Sequence, residues 1–112
     1  MNIRSLTEDY AVSPQISVAD VAEIKAAGFK SVICNRPDDE DPGQPAHAEI
    51  QNAVEAAGLE FRWVPVISGQ MTVDNVTDQA AVLDELPTPV LAYCRSGTRC
   101  ANLFMGVQQM RG

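Results

Sequence analysis

Residues 90–99 hold the most informative pattern of this 112-residue chain, Val90-Leu91-Ala92-Tyr93-Cys94-Arg95-Ser96-Gly97-Thr98-Arg99. The first four residues are apolar and predict a buried strand. Apolar residues at helical spacing after the quoted stretch predict a helix, with Leu103, Phe104 and Val107 on one face. A loop that enters a helix in this way presents backbone N–H groups and the positive end of the helix dipole to an anion. The sequence therefore predicts an anion-binding loop over residues 94–99.

The residue types in this loop favour a nucleophile rather than a packing cysteine. Cys94 at the base of the loop is expected to have a lowered pKa and to exist largely as thiolate. Gly97 permits a backbone conformation closed to other residues, and Arg99 can donate two parallel hydrogen bonds to an oxyanion. The alternative is an inert cysteine at the end of a buried strand, beside two solvated arginines. The glycine, the arginines and the helix start together favour the reactive site.

Strand-like and helix-like segments alternate over the rest of the chain. Apolar runs predict strands at residues 10–13, 31–34, 61–67 and 90–93. Helical spacing predicts helices from Ser17 to Gly28, from His47 to Gly58, after Thr72 and after the loop. Pro65 predicts that the third strand lies at an edge or is irregular. We expect one α/β domain over residues 1–112, with a mainly parallel sheet flanked by helices and a ligand at the C-terminal ends of its strands.

The charge of the chain is uneven along its length. Eight basic and fifteen acidic residues give a net charge of −7. Such an excess of acid argues against partners that are nucleic acids or anionic membranes. Residues 1–86 sum to −10, whereas residues 87–112 carry Arg95, Arg99 and Arg111 and no carboxylate. The sequence thus predicts an acidic body around a small basic mouth, which would select small anionic substrates.

The cysteine pattern predicts free thiols without a metal or a cofactor. Cys34, Cys94 and Cys100 lack zinc-finger spacing, and His47 is the only histidine. Cys34 is expected to be a packed core thiol. Cys100 is expected to be a small core residue, with the alternative that it resolves an oxidised or sulfur-carrying Cys94. The sequence has no run of about 18 apolar residues and no N-terminal secretion signal, so the expected location is the cytoplasm.

Three further residues, Arg36, His47 and Trp63, have side chains suited to binding, catalysis or packing. Arg36 would pair at the surface with the acidic run 38–41, or alternatively help to bind an anion. His47 is expected to be solvated and is a weak candidate for a general base. Trp63 is expected to lie in the core.

The quoted loop resembles the six-residue active-site loop of rhodanese-type sulfurtransferases. The order of elements before it resembles tyrosine and dual-specificity phosphatases, and this likeness is carried by Val12-Ser13-Pro14-Gln15-Ile16 and by Gly28-Phe29-Lys30-Ser31-Val32-Ile33-Cys34-Asn35-Arg36-Pro37. Both features together are similar to the beta-lactamase hydrolase-like protein, phosphatase-like family, whose members occur alone or fused to metallo-hydrolase-like sulfur dioxygenases. This resemblance covers nearly the whole chain and implies a protein-tyrosine-phosphatase-like fold. Phosphatase-like domains usually add further helices, so we expect a minimal version or a missing C-terminal stretch.

Two departures from the phosphatase pattern bear on the reaction. Only four residues separate Cys94 from Arg99, where cysteine phosphatases have five, and Tyr93 replaces their usual histidine. The segment 67–70 lacks the aspartate that such phosphatases use to protonate a leaving oxygen, and Asp74 comes only in the following helix. The shorter loop forms a smaller ring of N–H groups, which suits a sulfur atom carried on Cys94 better than a phosphoryl group. Sulfur transfer also needs no acid, because its leaving group departs as an anion.

The leading prediction is therefore a cysteine-dependent sulfurtransferase, in which a Cys94 persulfide moves sulfur from thiosulfate or a persulfide to a thiol or cyanide. Arg99 would close the loop, Arg95 would steer the anion, and Ser96 and Thr98 would donate hydrogen bonds. A partner enzyme of sulfur metabolism is possible under this interpretation. One alternative is a phosphatase of the tyrosine or dual-specificity class, acting through a Cys94 phosphoenzyme. The other is a non-enzymatic anion-binding or sulfur-carrier module.

Overall fold

The computed structural model describes residues 1–112 and contains five strands and four α-helices. In chain order they are β1 (Arg4–Ser5), β2 (Tyr10–Ser13), α1 (Val21–Ala26), β3 (Ser31–Cys34), α2 (His47–Ala56), β4 (Glu60–Trp63), α3 (Val73–Glu85), β5 (Val90–Tyr93) and α4 (Thr98–Arg111). A short 3-10 turn, Val18–Asp20, leads into α1. No helix is both long enough and apolar enough to cross a membrane.

The strands form one sheet in the order β1-β2-β5-β3-β4. All neighbouring strands run parallel except the outer pair, in which β1 is antiparallel to β2. The central strand β5 pairs Ala92 with Val12 on one side and with Ile33 on the other. The loop that follows β5 therefore opens at the middle of the C-terminal edge of the sheet, where parallel sheets bind ligands.

Helices cover both faces of this sheet, as the sequence predicts. Alternate residues of β5 point to opposite sides, so that Leu91 and Tyr93 join one apolar cluster while Val90 and Ala92 join the other. The first cluster is completed by α1 and α2, for example through Ile24 and Val54. The second is completed by residues of α3 and α4. Both layers hold the central strand rigidly beneath the loop.

The element boundaries differ from the sequence prediction mainly at β4. This strand ends at Trp63, four residues before the predicted end, because the pairing beyond it is irregular: the N–H groups of Val64 and Val66 donate to the adjacent carbonyls of Cys34 and Asn35. Trp63 lies at the end of this edge strand and is 41% exposed, so the prediction that it is a core residue is wrong. The predicted helix start at Thr72 is confirmed, since the Thr72 hydroxyl accepts a hydrogen bond from the Asn75 N–H at 3.1 Å.

Candidate active site

The loop from Cys94 to Arg99 joins the end of β5 to the first turn of α4. Gly97 has a φ of +92°, in the left-handed region that favours glycine, and its N–H donates to the Cys94 sulfur at 3.1 Å. The exit of β2 holds the loop from the side, because the Ser13 carbonyl accepts the Cys94 N–H at 3.3 Å. The loop also accepts one hydrogen bond, from the Gln15 N–H to the Arg95 carbonyl oxygen at 3.3 Å. The conformation is therefore fixed by backbone groups on two elements.

Cys94 is buried, with 1% of its surface exposed, and its pKa is lowered to about 5. The largest cause is a hydrogen bond from the Cys100 side chain, which stabilises the thiolate. Burial alone would raise the pKa, but backbone N–H groups of Cys100, Gly97 and Ser96 also lower it. Burial raises the pKa of Cys100 well above its ordinary value, so this residue remains a thiol and a donor. Cys94 is thus a thiolate at neutral pH.

Arg99 is held in one orientation by three of its five N–H groups. Nη1 and Nη2 donate to the two carboxylate oxygens of Glu40, at 2.9 and 3.2 Å. Nη1 also donates to the Val66 carbonyl at 2.9 Å. The remaining N–H groups, on Nε and Nη2, lie side by side on one edge of the guanidinium and have no protein acceptor. This free edge has the spacing that binds two oxygens of a tetrahedral oxyanion.

A second arginine, Arg36, extends this network of ion pairs next to the loop. Arg36 donates to Glu40 at 2.8 Å and to Asp41 at 2.7 Å, and Asp41 also lies 3.3 Å from Arg95. Burial alone would raise the pKa of Glu40, but hydrogen bonds from Arg99 and Arg36 hold it below its ordinary value. The sequence predicted the partners of Arg36 correctly. The expected pair at the surface is wrong, because Arg36 is only 3% exposed and its guanidinium donates to Gln15 as well as to Glu40 and Asp41.

An acidic loop, defined here as residues 37–46 between β3 and α2, carries Glu40 and Asp41 to the arginines. Asp38 anchors the loop to His47, accepting from the backbone N–H at 2.8 Å and contacting Nδ1 at 2.7 Å. The His47 ring stacks on Trp63 at a centroid distance of 3.6 Å. His47 is therefore partly buried and structural, so the prediction that it is solvated is wrong. Its location at the start of α2 gave no sign of the distant tryptophan.

The basic mouth predicted from the charge distribution is neutralised in the structure. Each arginine of the C-terminal segment lies beside a carboxylate from the N-terminal part of the chain. The pairs are Arg95 with Asp41 at 3.3 Å, Arg99 with Glu40 at 2.9 Å and Arg111 with Asp84 at 2.6 Å. The acidic and basic residues are separated along the sequence but not in the folded protein, because residues far apart in the chain become neighbours. The prediction of an unbalanced basic mouth is wrong.

A cleft of about 690 Å³ opens above the loop. One wall is the segment after β4 and the other is the start of α4. Its lining residues are Val66, Ile67, Ser68, Gly69, Met71, Arg95, Ser96, Thr98, Arg99 and Asn102. Gly97 lines a second groove of about 430 Å³ on the other side of the loop, shared with Ser96 and Thr98. The structure thus brings Cys94, Arg95, Ser96, Gly97, Thr98 and Arg99 together. No group of three or more His, Cys, Asp or Glu side chains is arranged to hold a metal ion.

A buried polar chain that the sequence did not reveal supports the first turn of α4. The Asn35 amide donates to the Gln79 carbonyl oxygen at 2.9 Å, and Gln79 donates to the Tyr10 hydroxyl at 3.3 Å. Tyr10 in turn donates to the Cys100 carbonyl at 3.3 Å. Four elements are linked in this way beneath the loop. A polar glutamine at an otherwise apolar position of α3 was the available signal.

Residues 2–110 match the family described as the beta-lactamase hydrolase-like protein, phosphatase-like domain. The chain belongs to this family. A beta-lactamase hydrolase-like protein of Agrobacterium fabrum is 34% identical over 100 residues, which are 89% of this chain and 23% of the relative. The chain therefore spans about a quarter of the length of the curated relatives it matches.

Solved structures that are described as phosphatases share this fold. A crystal structure of a candidate phosphatase from Neisseria meningitidis is 40% identical, with a TM-score of 0.86 over 93% of this chain and 74% of that chain. The catalytic core of a PP-IP phosphatase from S. cerevisiae, in complex with citrate, is 16% identical, with a TM-score of 0.66 over 87% of this chain and 57% of that chain. The predicted protein-tyrosine-phosphatase-like fold is confirmed.

These comparisons make the leading functional prediction, sulfur transfer through a Cys94 persulfide, wrong. They favour the phosphatase alternative and support an enzyme rather than a carrier module. The physical reason is that the shortened spacing between Cys94 and Arg99 does not remove what an oxyanion needs. Gly97 still directs its N–H to the sulfur, and Arg99 still has a free edge. Loop length was therefore a poor guide to the group that is transferred.

Proposed function

We propose that this domain is a cysteine phosphatase that hydrolyses small phosphate monoesters through a Cys94 phosphoenzyme. One observation carries the proposal: a cysteine with a pKa of about 5 lies in a helix-entry loop that ends at an arginine with a free two-donor edge. The description of the Neisseria relative as a candidate phosphatase agrees with it. The thiolate supplies the nucleophile, and the arginine supplies a site for two phosphoryl oxygens.

The reaction would have two steps. The Cys94 thiolate attacks phosphorus, so that an S–P bond forms while the bond to the leaving oxygen breaks and its electron pair leaves with that oxygen. Water then attacks phosphorus, and the S–P bond breaks with its electron pair returning to Cys94 as thiolate. Inorganic phosphate is released as H2PO4⁻, which carries both protons of the water. Arg99 and the loop N–H groups would stabilise the charge on the equatorial oxygens in both steps.

The remaining loop residues would bind and guide the substrate. Arg95 is 70% exposed at the rim of the cleft, where its guanidinium can donate to a bound anion as well as to Asp41, which lies 3.3 Å away. Ser96 and Thr98 line the cleft and have hydroxyl groups that can donate to phosphoryl oxygens. Gly97 shapes the loop through its left-handed backbone. All four roles belong to the proposal.

Release of inorganic phosphate from p-nitrophenyl phosphate tests this function. The natural chain and Cys100→Ser should both turn over, since serine can replace the Cys100 donor. Cys94→Ser should be inactive while keeping the same circular dichroism spectrum. Vanadate, which mimics the transferred phosphoryl group, should inhibit competitively. Full activity in Cys94→Ser, or no turnover by the natural chain, would contradict the proposal.

A further inference from the structure

The cleft above the loop 94–99 contains no side chain that can protonate a leaving group. Its ten lining residues supply hydroxyl, amide, guanidinium and apolar groups, but no carboxyl, imidazole or phenol. The wall opposite the loop is formed by Val66, Ile67 and Met71 together with Ser68 and Gly69. A hydroxyl such as that of Ser68 is too weak an acid to give up a proton near neutral pH.

The carboxylates closest to the cleft are already engaged. Glu40 accepts hydrogen bonds from Arg99 and Arg36, and Asp41 lies against Arg36 and Arg95. Although burial alone would raise the pKa of Glu40, hydrogen bonds from the two guanidinium groups hold it below its ordinary value, so this carboxylate remains ionised and has no proton to donate. Asp41 lies outside the lining of the cleft.

The other titratable groups near this end of the sheet are also unsuited to the role. His47 is tied to Asp38 and stacked on Trp63. The hydroxyl of Tyr10 donates to the Cys100 carbonyl beneath the loop, and Tyr93 is buried in the opposite apolar cluster. Asp74 is exposed in the first turn of α3, outside the lining of the cleft.

From this arrangement we infer that the substrates are phosphate compounds whose leaving group departs as a stable anion, such as aryl phosphates and phosphoanhydrides, and not alkyl phosphates. The inference rests on the proposed phosphatase function and specifies its substrate class. In the first step the S–P bond forms, the P–O bond breaks, and the leaving oxygen keeps the electron pair without taking a proton. An alkoxide leaving group would lose the roughly 10²–10⁴-fold that a general acid contributes.

A series of substituted phenyl phosphates, with benzyl phosphate as a matched alkyl compound of similar size, tests the inference. The quantity to compare is kcat/KM, because it reports the first chemical step and not hydrolysis of the phosphoenzyme. We expect kcat/KM to fall steadily as the pKa of the leaving phenol rises, because no acid neutralises the charge that develops on the leaving oxygen. Benzyl phosphate should react at least about 100-fold more slowly than phenyl phosphate. Inorganic pyrophosphate gives a separate arm for phosphoanhydrides.

Two variants make the test specific. Asp74→Asn should leave both the rates and their dependence on the leaving group unchanged. Glu40→Gln should slow all substrates by the same factor, since it affects Arg99 and not the leaving oxygen. The pH profile of kcat/KM with an aryl phosphate should have a rising limb as Cys94 ionises and then a plateau, without a falling alkaline limb.

Equal rates for phenyl and benzyl phosphate would overturn the inference, as would a bell-shaped profile whose alkaline limb disappears in Asp74→Asn. Either result would leave the proposed phosphatase function standing. Failure to turn over even the most acidic aryl phosphate would instead contradict the proposed function itself. The two failures are thus distinguishable in one set of measurements.

Discussion

Among individual residues, the ionisation of Cys94 depends on donors that surround its sulfur. The Cys100 side chain and the backbone N–H groups of the loop stabilise the thiolate more than burial destabilises it. The pKa is lowered, so the thiolate is present above about pH 5 and is lost as the pH falls through that value. Phosphatase activity should therefore rise through the same range.

Thiolate absorbance in the ultraviolet measures this ionisation directly. The difference between the natural chain and Cys94→Ser should titrate with a midpoint near 5. Cys100→Ala should move the midpoint upward, because it removes the largest contribution to the low pKa. Cys34→Ala is the matched control and should leave the midpoint unchanged. A Cys94 midpoint near the ordinary value for cysteine would contradict the described environment.

Glu40 is the residue that fixes Arg99, and its replacement tests that role. Glu40→Gln keeps the shape but removes the charge that both Arg99 and Arg36 contact. We expect kcat/KM for an aryl phosphate to fall about 10- to 100-fold, because a misplaced arginine no longer matches the phosphoryl oxygens. Glu49→Gln, at an exposed position of α2, is the control and should have no effect. Unchanged activity in Glu40→Gln would show that Arg99 needs no positioning.

At the level of elements, the loop depends on where β5 ends and how α4 begins. Thr98 starts α4 immediately after the left-handed Gly97, and this abrupt start leaves the N–H groups of the first turn available to the sulfur. The acidic loop approaches from the other side and supplies the carboxylates. The site is therefore built where three separately anchored segments meet.

Gly97→Ala tests the backbone requirement of the loop, with Gly28→Ala as its control. Both glycines have a similar positive φ, +92° and +98°, and an added Cβ would meet no severe clash at either position. Each variant should therefore lose about 1–2 kcal/mol of unfolding free energy, measured by urea denaturation. Only Gly97→Ala should also lose phosphatase activity and raise the pH midpoint of the Cys94 thiolate titration. Equal activity in the two variants would contradict a specific role for Gly97.

Over the whole molecule, local patterns were predictable and distant pairings were not. The strand at 90–93, the loop and the start of α4 follow from adjacent residues, so the sequence located them correctly. Glu40 and Arg99 are 59 positions apart, and no periodicity indicated that they would pair. The same applies to the stack of His47 on Trp63. The strand β1 has only two residues, too few to form a pattern.

The choice between sulfur transfer and phosphoryl transfer shows a different limit of prediction from sequence. A low-pKa cysteine, a cradle of N–H groups and an arginine serve both reactions, so the motif located the site without defining its chemistry. Loop spacing favours sulfur only if the number of residues between Cys94 and Arg99 decides which group the loop can hold. The free edge of Arg99 depends on three acceptors on two other segments, which only the folded chain reveals.

Trapping the covalent intermediate tests the central claim most directly. The protein is mixed with an aryl phosphate, quenched within milliseconds and digested for mass spectrometry under conditions that preserve S–P bonds. We expect one phosphoryl group on the peptide that contains Cys94, and no such adduct in Cys94→Ser. Turnover of the substrate with Cys94 unmodified, or with the phosphoryl group on another residue, would contradict the account.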